Sequence, residues 1–259
     1  MERITSNGLS LWQFEQLAKY PEVRHFVTDR RSDGDETPFT LSYSSHPDRA
    51  FIDANRLKLA GAIGVAANRL FFPSQVHETR IVTVTVETQK EDLMKTDALI
   101  TNEKGICIAV MSADCVPVLL YDRLTKSVAA VHAGWRGTVA SIVSKTIQEM
   151  ITQFGTKPED IVAAIGPSIC QESYEVGAEV LEEVRRVFGT PEKLIVKTLP
   201  GKGKLDLWQA NKIQLLNAGV SEHNIEIGGL CTSKNNDHFF SARKGDKGRF
   251  AAGIVLSDV

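Results

Sequence analysis

The sequence predicts a mixed α/β domain, and three observations carry the prediction. Ile106 to Met111, Val116 to Tyr121 and Ser127 to Val131 are short apolar runs bounded by turn or polar residues, the pattern of buried strands. The period then changes. Val139, Ile142, Val143, Ile147, Met150, Ile151 and Phe154 recur at helical spacing and mark one apolar face. Strand-like and helix-like segments keep alternating toward the C-terminus, and the hairpin-like run from 106 to 131 argues against a purely parallel sheet.

Taken in order, Arg30 to Asp48 is polar and rich in turn formers, so it reads as a surface loop. Residues 54–66 read as a helix. Ile81 to Val86 alternates apolar residues with threonine, a strand signature. After the three buried runs and the amphipathic helix, Ile161 to Ile165 is a strand ending in Gly166-Pro167. Ala178 to Phe188 and Leu207 to Ala218 read as helices, and Ile225 to Ile227, Phe239 to Ala242 and Ala251 to Leu256 as closing strands. There is no internal repeat, low-complexity tract or long linker, and 259 residues suffice for one large or two small domains.

Composition removes several function classes. Apolar residues make up 42% and charged residues 24%, as in ordinary globular proteins. The formal charge of −2, with basic residues spread along the chain, argues against nucleic acid as the main partner. Met1 to Leu17 has no apolar core flanked by basic residues, and no apolar run approaches the ~20 residues of a membrane helix. A cytoplasmic protein is therefore expected, with its four cysteines reduced. A cysteine that matters is then a metal ligand or a nucleophile.

Three residues stand out for chemistry. His132 ends an apolar run and is followed by Ala-Gly-Trp-Arg-Gly before a helical segment. A strand, a glycine turn and a helix start expose unpaired N–H groups that attract anions, and Arg136 adds a two-pronged donor, so Val131 to Thr138 is a candidate anion site. Cys115 follows Asp114 just past a buried strand, unlike Cys107 and Cys170, which read as small buried hydrophobes. His77 precedes the threonine-rich strand. His25, His46, His223 and His238 sit in polar, loop-like surroundings and read as structural or solvent-exposed. Two histidines and a cysteine at strand ends suit a catalytic zinc with three protein ligands and an open fourth position. The gaps are long and hold no Cys-x-x-Cys pair, so the same residues also permit Cys115 as a nucleophile with His132 or His77 as its base.

Longer blocks then become recognisable. They are Ser74-Gln-Val-His77, Thr96-Asp-Ala-Leu-Ile-Thr101, Ser112-Ala-Asp-Cys115-Val-Pro-Val-Leu-Leu, Ala130-Val-His132-Ala-Gly-Trp-Arg-Gly137 and Ala164-Ile-Gly-Pro-Ser-Ile-Cys170. Leu205-Asp-Leu-Trp-Gln-Ala-Asn211, Cys231-Thr, Phe240-Ser, Arg243 and Gly248-Arg249 follow. In this order they resemble the YfiH-like family, also called the laccase-domain or peptidoglycan-editing-factor family. The resemblance implies a single catalytic domain over 1–259 with a four-layer α/β/β/α fold and mixed sheets. It implies zinc on His77, Cys115 and His132, with copper(II) as an alternative occupant by affinity. It also implies phosphorolysis of adenosine, inosine and S-methyl-5′-thioadenosine, and deamination of adenosine. Phosphate and purine nucleosides are the expected partners; oligomeric state is not readable.

Two departures are visible. The family's glycine-rich N-terminal turn is replaced by Thr28-Asp-Arg-Arg-Ser-Asp-Gly34 and Thr40-Leu-Ser-Tyr-Ser-Ser45, and the usual glycine after the first histidine is Glu78. Within the matched blocks, Asp114 is the expected proton carrier, with Glu78 as the other carboxylate beside a ligand. Arg136 is the expected phosphate cradle, and Gln75, Arg56, Trp135 and Arg243 the expected substrate contacts. A multicopper cluster does not suit six histidines without a His-x-His pair. Two further readings stay open: a Cys115–His132 hydrolase or amidase acting on peptidoglycan precursors, and a metal-binding scaffold without turnover.

Overall fold

A computed structural model describes residues 1–32, 37–189 and 191–257. In chain order its strands begin with β1 (Glu2–Ser6), β2 (Leu9–Gln13), β3 (Val23–Ser32), β4 (Leu70–Phe71) and β5 (Ile81–Thr83). They continue with β6 (Ala98–Thr101), β7 (Cys107–Ser112), β8 (Val116–Asp122), β9 (Ser127–Ala133) and β10 (Ile161–Ile165). Last come β11 (Glu175–Val176), β12 (Ile195–Lys197), β13 (Gly203–Leu205), β14 (Ile225–Ile227) and β15 (Phe250–Leu256). The α-helices are α1 (Arg49–Ile63), α2 (Trp135–Val139), α3 (Ile142–Phe154), α4 (Ala178–Phe188) and α5 (Leu207–Asn217).

One six-stranded sheet has the order β1-β2-β3-β15-β7-β4, antiparallel except for the edge pair β4–β7. A second has the order β14-β10-β8-β9-β6-β5, antiparallel inside and parallel at both outer pairs. A small antiparallel sheet, β11-β13-β12, completes the set.

Side-chain alternation explains the layering. Ile108 and Val110 of β7 meet Leu119 and Tyr121 of β8 and Val128 and Ala130 of β9 in a core between the two large sheets. Cys107 and Ala109 point the other way, onto Leu59 and Ile63 of α1. Val118, Leu120, Ala129 and Val131 face a third core with Ile147 of α3, Leu181 of α4 and Leu215 of α5. The result is the expected four-layer α/β/β/α stack. Burial of both strand faces is also why these runs read as continuous apolar stretches.

Several elements differ from the sequence reading. The run from 106 to 131 is not one hairpin: β7 lies in the first sheet, and the chain crosses at Ala113–Cys115 to β8 in the second. Only β8–β9 is a hairpin, with Pro117 opposite His132. The helix expected from Val139 breaks, because Ser141 takes a left-handed φ of 61° and separates α2 from α3. The helix expected at 54–66 starts earlier, where the Asp48 carboxylate caps the Ala50 N–H at 2.9 Å, and stops at Gly64, at φ 68°.

The strand expected to reach Val86 ends at Thr83 because the threonines turn the chain instead. Thr88 Oγ1 accepts the Thr85 N–H, and Thr85 Oγ1 accepts the Glu87 N–H. Phe239–Ala242 forms no strand. The Phe239 N–H turns back to Asn235 O at 3.0 Å and the Ser241 N–H goes to Asp246 Oδ2 at 2.9 Å. The stretch read as a surface loop from Arg30 is β3 through Ser32, and it buries Phe39 and Leu41 in the α1 core; residues 33–36 lie outside the described residues. The N-terminal strands β1 and β2 have no counterpart in the sequence reading. No helix among the described residues is long and apolar enough to cross a membrane.

Candidate metal centre

Two crossings between the large sheets meet at one end of their shared core. The β4-to-β5 crossing carries His77, and the β7-to-β8 crossing carries Cys115. Near the end of β9, His132 has the strand parity of Val128 and Ala130, which face the space between the sheets. The three ligand atoms, two ring nitrogens and one sulfur, lie within 4.8 Å of one another. The imidazole rings of His77 and His132 stand edge to face, with centroids 4.9 Å apart. His132 is buried, Cys115 half-buried and His77 exposed, so the group opens to solvent on the His77 side.

Asp97, which sequence reasoning left unassigned inside the Thr96–Thr101 block, holds this arrangement. Its carboxylate is fully buried, and its Oδ1 accepts from His132 Nδ1 at 2.8 Å. The same carboxylate accepts the backbone N–H groups of Val76, His77 and Glu78 at 3.1, 3.0 and 2.9 Å. One side chain thus turns the free His132 nitrogen toward the centre and fixes the loop in which His77 sits at a left-handed φ of 65°. Burial works against the Asp97 charge, but His132 and the N–H groups prevail and hold its carboxyl below the usual range.

The electrostatics follow. Burial would raise the Cys115 thiol, yet the His132 and His77 rings bring it down to about 6. Burial would also strip the proton from His132, yet Cys115 and Asp97 raise it to about 9. A thiolate beside two imidazoles is a donor set for a borderline-soft divalent ion. Gly134 is needed for this packing: a Cβ there would come within 2.9 Å of Cys115 Sγ and 3.1 Å of His77 Cδ2.

The other residues singled out from sequence divide into two groups. Arg136 is exposed, with its guanidinium 4.3 Å from the Trp135 ring centroid. Helix α2 behind it has only five residues, so the anticipated anion cradle at a helix start reduces to the arginine and its neighbours. Arg243 reaches Ser173 O at 3.4 Å and Glu175 O at 3.1 Å. Asp114, at φ 87°, directs Oδ1 to the Thr232 hydroxyl (2.6 Å) and Oδ2 to the Arg243 N–H (2.7 Å). It therefore ties the Cys115 crossing to the 232–243 loop. Gln75 and Arg56 turn elsewhere. Both ends of the Gln75 amide bond Met111 backbone, at 2.7 and 2.8 Å. The Arg56 guanidinium binds Leu41 O and lies between the rings of Tyr43 and Phe72. His25, expected in a polar loop, is buried in β3 instead.

A protein family described as "Multi-copper polyphenol oxidoreductase laccase" matches residues 24–257. The chain belongs to this family. Among similar proteins is the "Purine nucleoside phosphorylase" of Bacteroides thetaiotaomicron, 40% identical over 94% of this chain and 95% of that one. "Adenosine deaminase RL5", from an unknown prokaryotic organism, is 39% identical over 73% of this chain and 75% of its own. The crystal structure of Bacillus licheniformis YfiH superposes with a TM-score of 0.88 at 28% identity, over 97% of both chains. YlmD from Geobacillus stearothermophilus gives 0.85 at 28% identity, over 98% of both. The family's description speaks of several coppers. Among the described residues of this laccase-domain chain, His77, Cys115 and His132 are the one group of three or more such side chains placed to hold an ion.

Proposed function

We propose that this laccase-domain protein is a cytoplasmic, zinc-dependent enzyme of purine nucleosides. It phosphorolyses adenosine, inosine and S-methyl-5′-thioadenosine to free base and the corresponding (methylthio)ribose 1-phosphate, and it deaminates adenosine. The observation that carries the reading is the convergence of His77, Cys115 and His132 within 4.8 Å, on a chain similar to proteins named for both activities.

The residues fit the ion. Two imidazoles and a thiolate are the three protein donors that a catalytic zinc would take, and Asp97 sets the His132 tautomer. Bound zinc would supply a Lewis acid and a water of pKa near ~7; copper would use the same three donors. In phosphorolysis a phosphate oxygen attacks C1′ while the C1′–N9 bond breaks, so catalysis is mainly positioning and charge stabilisation. Arg136 and Arg243 provide positive charge at the mouth, and Trp135 provides an aromatic surface for the base. Deamination needs a carboxylate to move protons. Asp114 has both oxygens committed to the 232–243 loop, so in this reading it positions the Cys115 crossing. Exposed Glu78, next to His77, takes the proton-carrying role.

The Asp97–His132–Cys115 alignment favours one other reading, a cysteine hydrolase with His132 as base and Asp97 as its orienting group. A thiolate bound to a metal is a poor free nucleophile, so metal content separates the two. The deciding experiment incubates purified protein with adenosine, inosine or methylthioadenosine, with and without phosphate, and measures metal on the same sample. Phosphate-dependent release of free base and stoichiometric zinc are expected. Metal-free protein that is alkylated at Cys115 and releases neither base nor inosine would overturn the reading. Nucleoside binding without turnover would leave a scaffold.

A further inference from the structure

Cys170 reads from the sequence as a small buried hydrophobe, but folding brings a second thiol against it. Past the ends of β10 and β14 the two segments stay side by side and parallel, with Ser168 opposite Cys231. The Gly228 N–H donates to Ile165 O at 2.9 Å, the Ser168 N–H to Leu230 O at 3.2 Å and the Thr232 N–H to Ser168 O at 3.1 Å. The Cys170 N–H leaves this ladder and donates to the Cys231 sulfur at 3.3 Å. Both thiols reach the Ser173 hydroxyl, at 3.5 Å from Cys170 Sγ and 3.7 Å from Cys231 Sγ. Two sulfurs 61 residues apart in the chain therefore share one hydroxyl. They lie just beneath the surface. Each cysteine keeps 4% exposure, and the exposed Lys234–Glu172 ion pair, at 3.5 Å, joins the same two segments.

We infer that Cys170 and Cys231 are a redox-active dithiol, which a peroxide converts to an intramolecular disulfide. Among the described residues the pair belongs to no group of three donors placed to hold an ion, so its open chemistry is a two-electron oxidation. Cys231 attacks first, because its sulfur accepts the Cys170 N–H. Burial opposes a charge on it, but the Cys170 thiol and N–H outweigh burial and bring its pKa below the ordinary value; burial lifts that of Cys170. The Cys231 thiolate takes one peroxide oxygen, the O–O bond breaks, and the other oxygen leaves protonated as alcohol or water. Cys170 then attacks the sulfenic sulfur. The S–S bond forms, the S–O bond breaks, and water leaves with the Cys170 proton. Two electrons pass from the sulfurs to the peroxide. Cys107 is fully buried and Cys115 belongs to the metal centre, so neither competes. The bond would staple the two segments that hold the Cys115 crossing. The Ile169 N–H, next to Cys170, donates to Asp114 O at 3.0 Å, and the Thr232 hydroxyl, next to Cys231, donates to Asp114 Oδ1 at 2.6 Å.

The test uses the full chain, reduced with a phosphine and desalted, with hydrogen peroxide as the probe; it needs no nucleoside turnover. After treatment the protein is denatured, its remaining thiols are alkylated, and it is digested without reduction. The expected product is one peptide pair linking Cys170 to Cys231, lighter by about 2 Da than the two reduced peptides together and separated by a thiol reductant. Alkylation of both residues falls about tenfold or more, while that of Cys107 stays within about twofold. In Cys170→Ser nothing resolves the intermediate, so dimedone traps Cys231 as its sulfenic acid adduct; Cys231→Ser gives about tenfold less adduct at Cys170. Full alkylation of both thiols after peroxide overturns the inference. So does a bond from either residue to another cysteine, or sulfinic acid at both without a link. Equal dimedone adducts in the two variants overturn the assigned order of attack.

Discussion

His132 and His25 are equally buried, at 3% and 2% exposure, yet their rings are tuned in opposite directions. His132 has the Asp97 carboxylate on one nitrogen and the Cys115 sulfur by the other, and its pKa rises to about 9. His25 lies in the first sheet with its Nε2 accepting the Phe14 N–H at 2.8 Å, so its Nδ1 carries the proton. That Nδ1–H has no partner among the described residues. With only burial and one backbone group acting, His25 falls to about 4. Burial with one backbone partner therefore holds His25 neutral, whereas the carboxylate and the thiol make His132 the more basic imidazole, which gives up its proton when a metal binds.

The largest expected effect separates these two histidines by function. His132→Gln removes a ligand from the only three-donor group among the described residues, and stoichiometric zinc is expected to be lost, together with nucleoside turnover. His25→Gln keeps an acceptor for the Phe14 N–H and leaves metal content unchanged. Elemental analysis after dialysis reads both. Metal retained in His132→Gln would remove the distinction between the sites.

The next effect runs through pH. The folded-state pKa of His25 is depressed, so its stabilising contribution is fully present above the unfolded value of 6.5. It is lost as pH falls from 6.5 through about 4, because the unfolded chain takes up the proton first. The gap between 6.5 and about 4 is worth about 3 kcal/mol. Urea denaturation of wild type and His25→Gln at several pH values between these limits should show the variant losing less stability, by up to that amount. Parallel pH profiles would mean that His25 is not held neutral.

These contrasts also show what could be read from the sequence. The apolar runs of β7, β8 and β9 and two of the ligands are local signals: each run is buried on both faces, and Cys115 and His132 stand where a strand meets a turn, whereas His77 lies within the β4-to-β5 crossing. The sheet to which a strand belongs is not a local signal. β7 and β8 are separated only by Ala113–Cys115 but lie in different sheets, because Asp114 takes a left-handed turn held by Thr232 and Arg243, far along the chain. The same holds for His25, in Val23-Arg24-His25-Phe26-Val27, whose burial depends on the pairing of β3 with β15 from the far end of the chain. Gln75 and Arg56 lie in or near matched blocks, but their partners are carbonyls and rings brought in by folding. Asp97 was visible only as an acidic residue before an apolar run. Its four donors come from two other segments.

Asp97→Asn sharpens the comparison with the smallest change, one oxygen to one NH2. In the native protein Oδ1 serves His132 and the His77 N–H, and Oδ2 serves the Val76 and Glu78 N–H groups. All four partners donate, so a carboxylate satisfies them and an amide cannot. Whichever way the asparagine turns, its NH2 faces two donors. Either His132 loses the partner that sets its tautomer, or the 76–78 loop loses the anchor that holds His77 in the left-handed region. Both outcomes loosen a ligand without removing it. The expected cost is about 10–100-fold in zinc affinity, measured by competition with a chromophoric chelator. An affinity within about threefold of wild type would show that the three ligands hold their geometry unaided, and the carboxylate that distinguishes His132 from His25 would lose its assigned role.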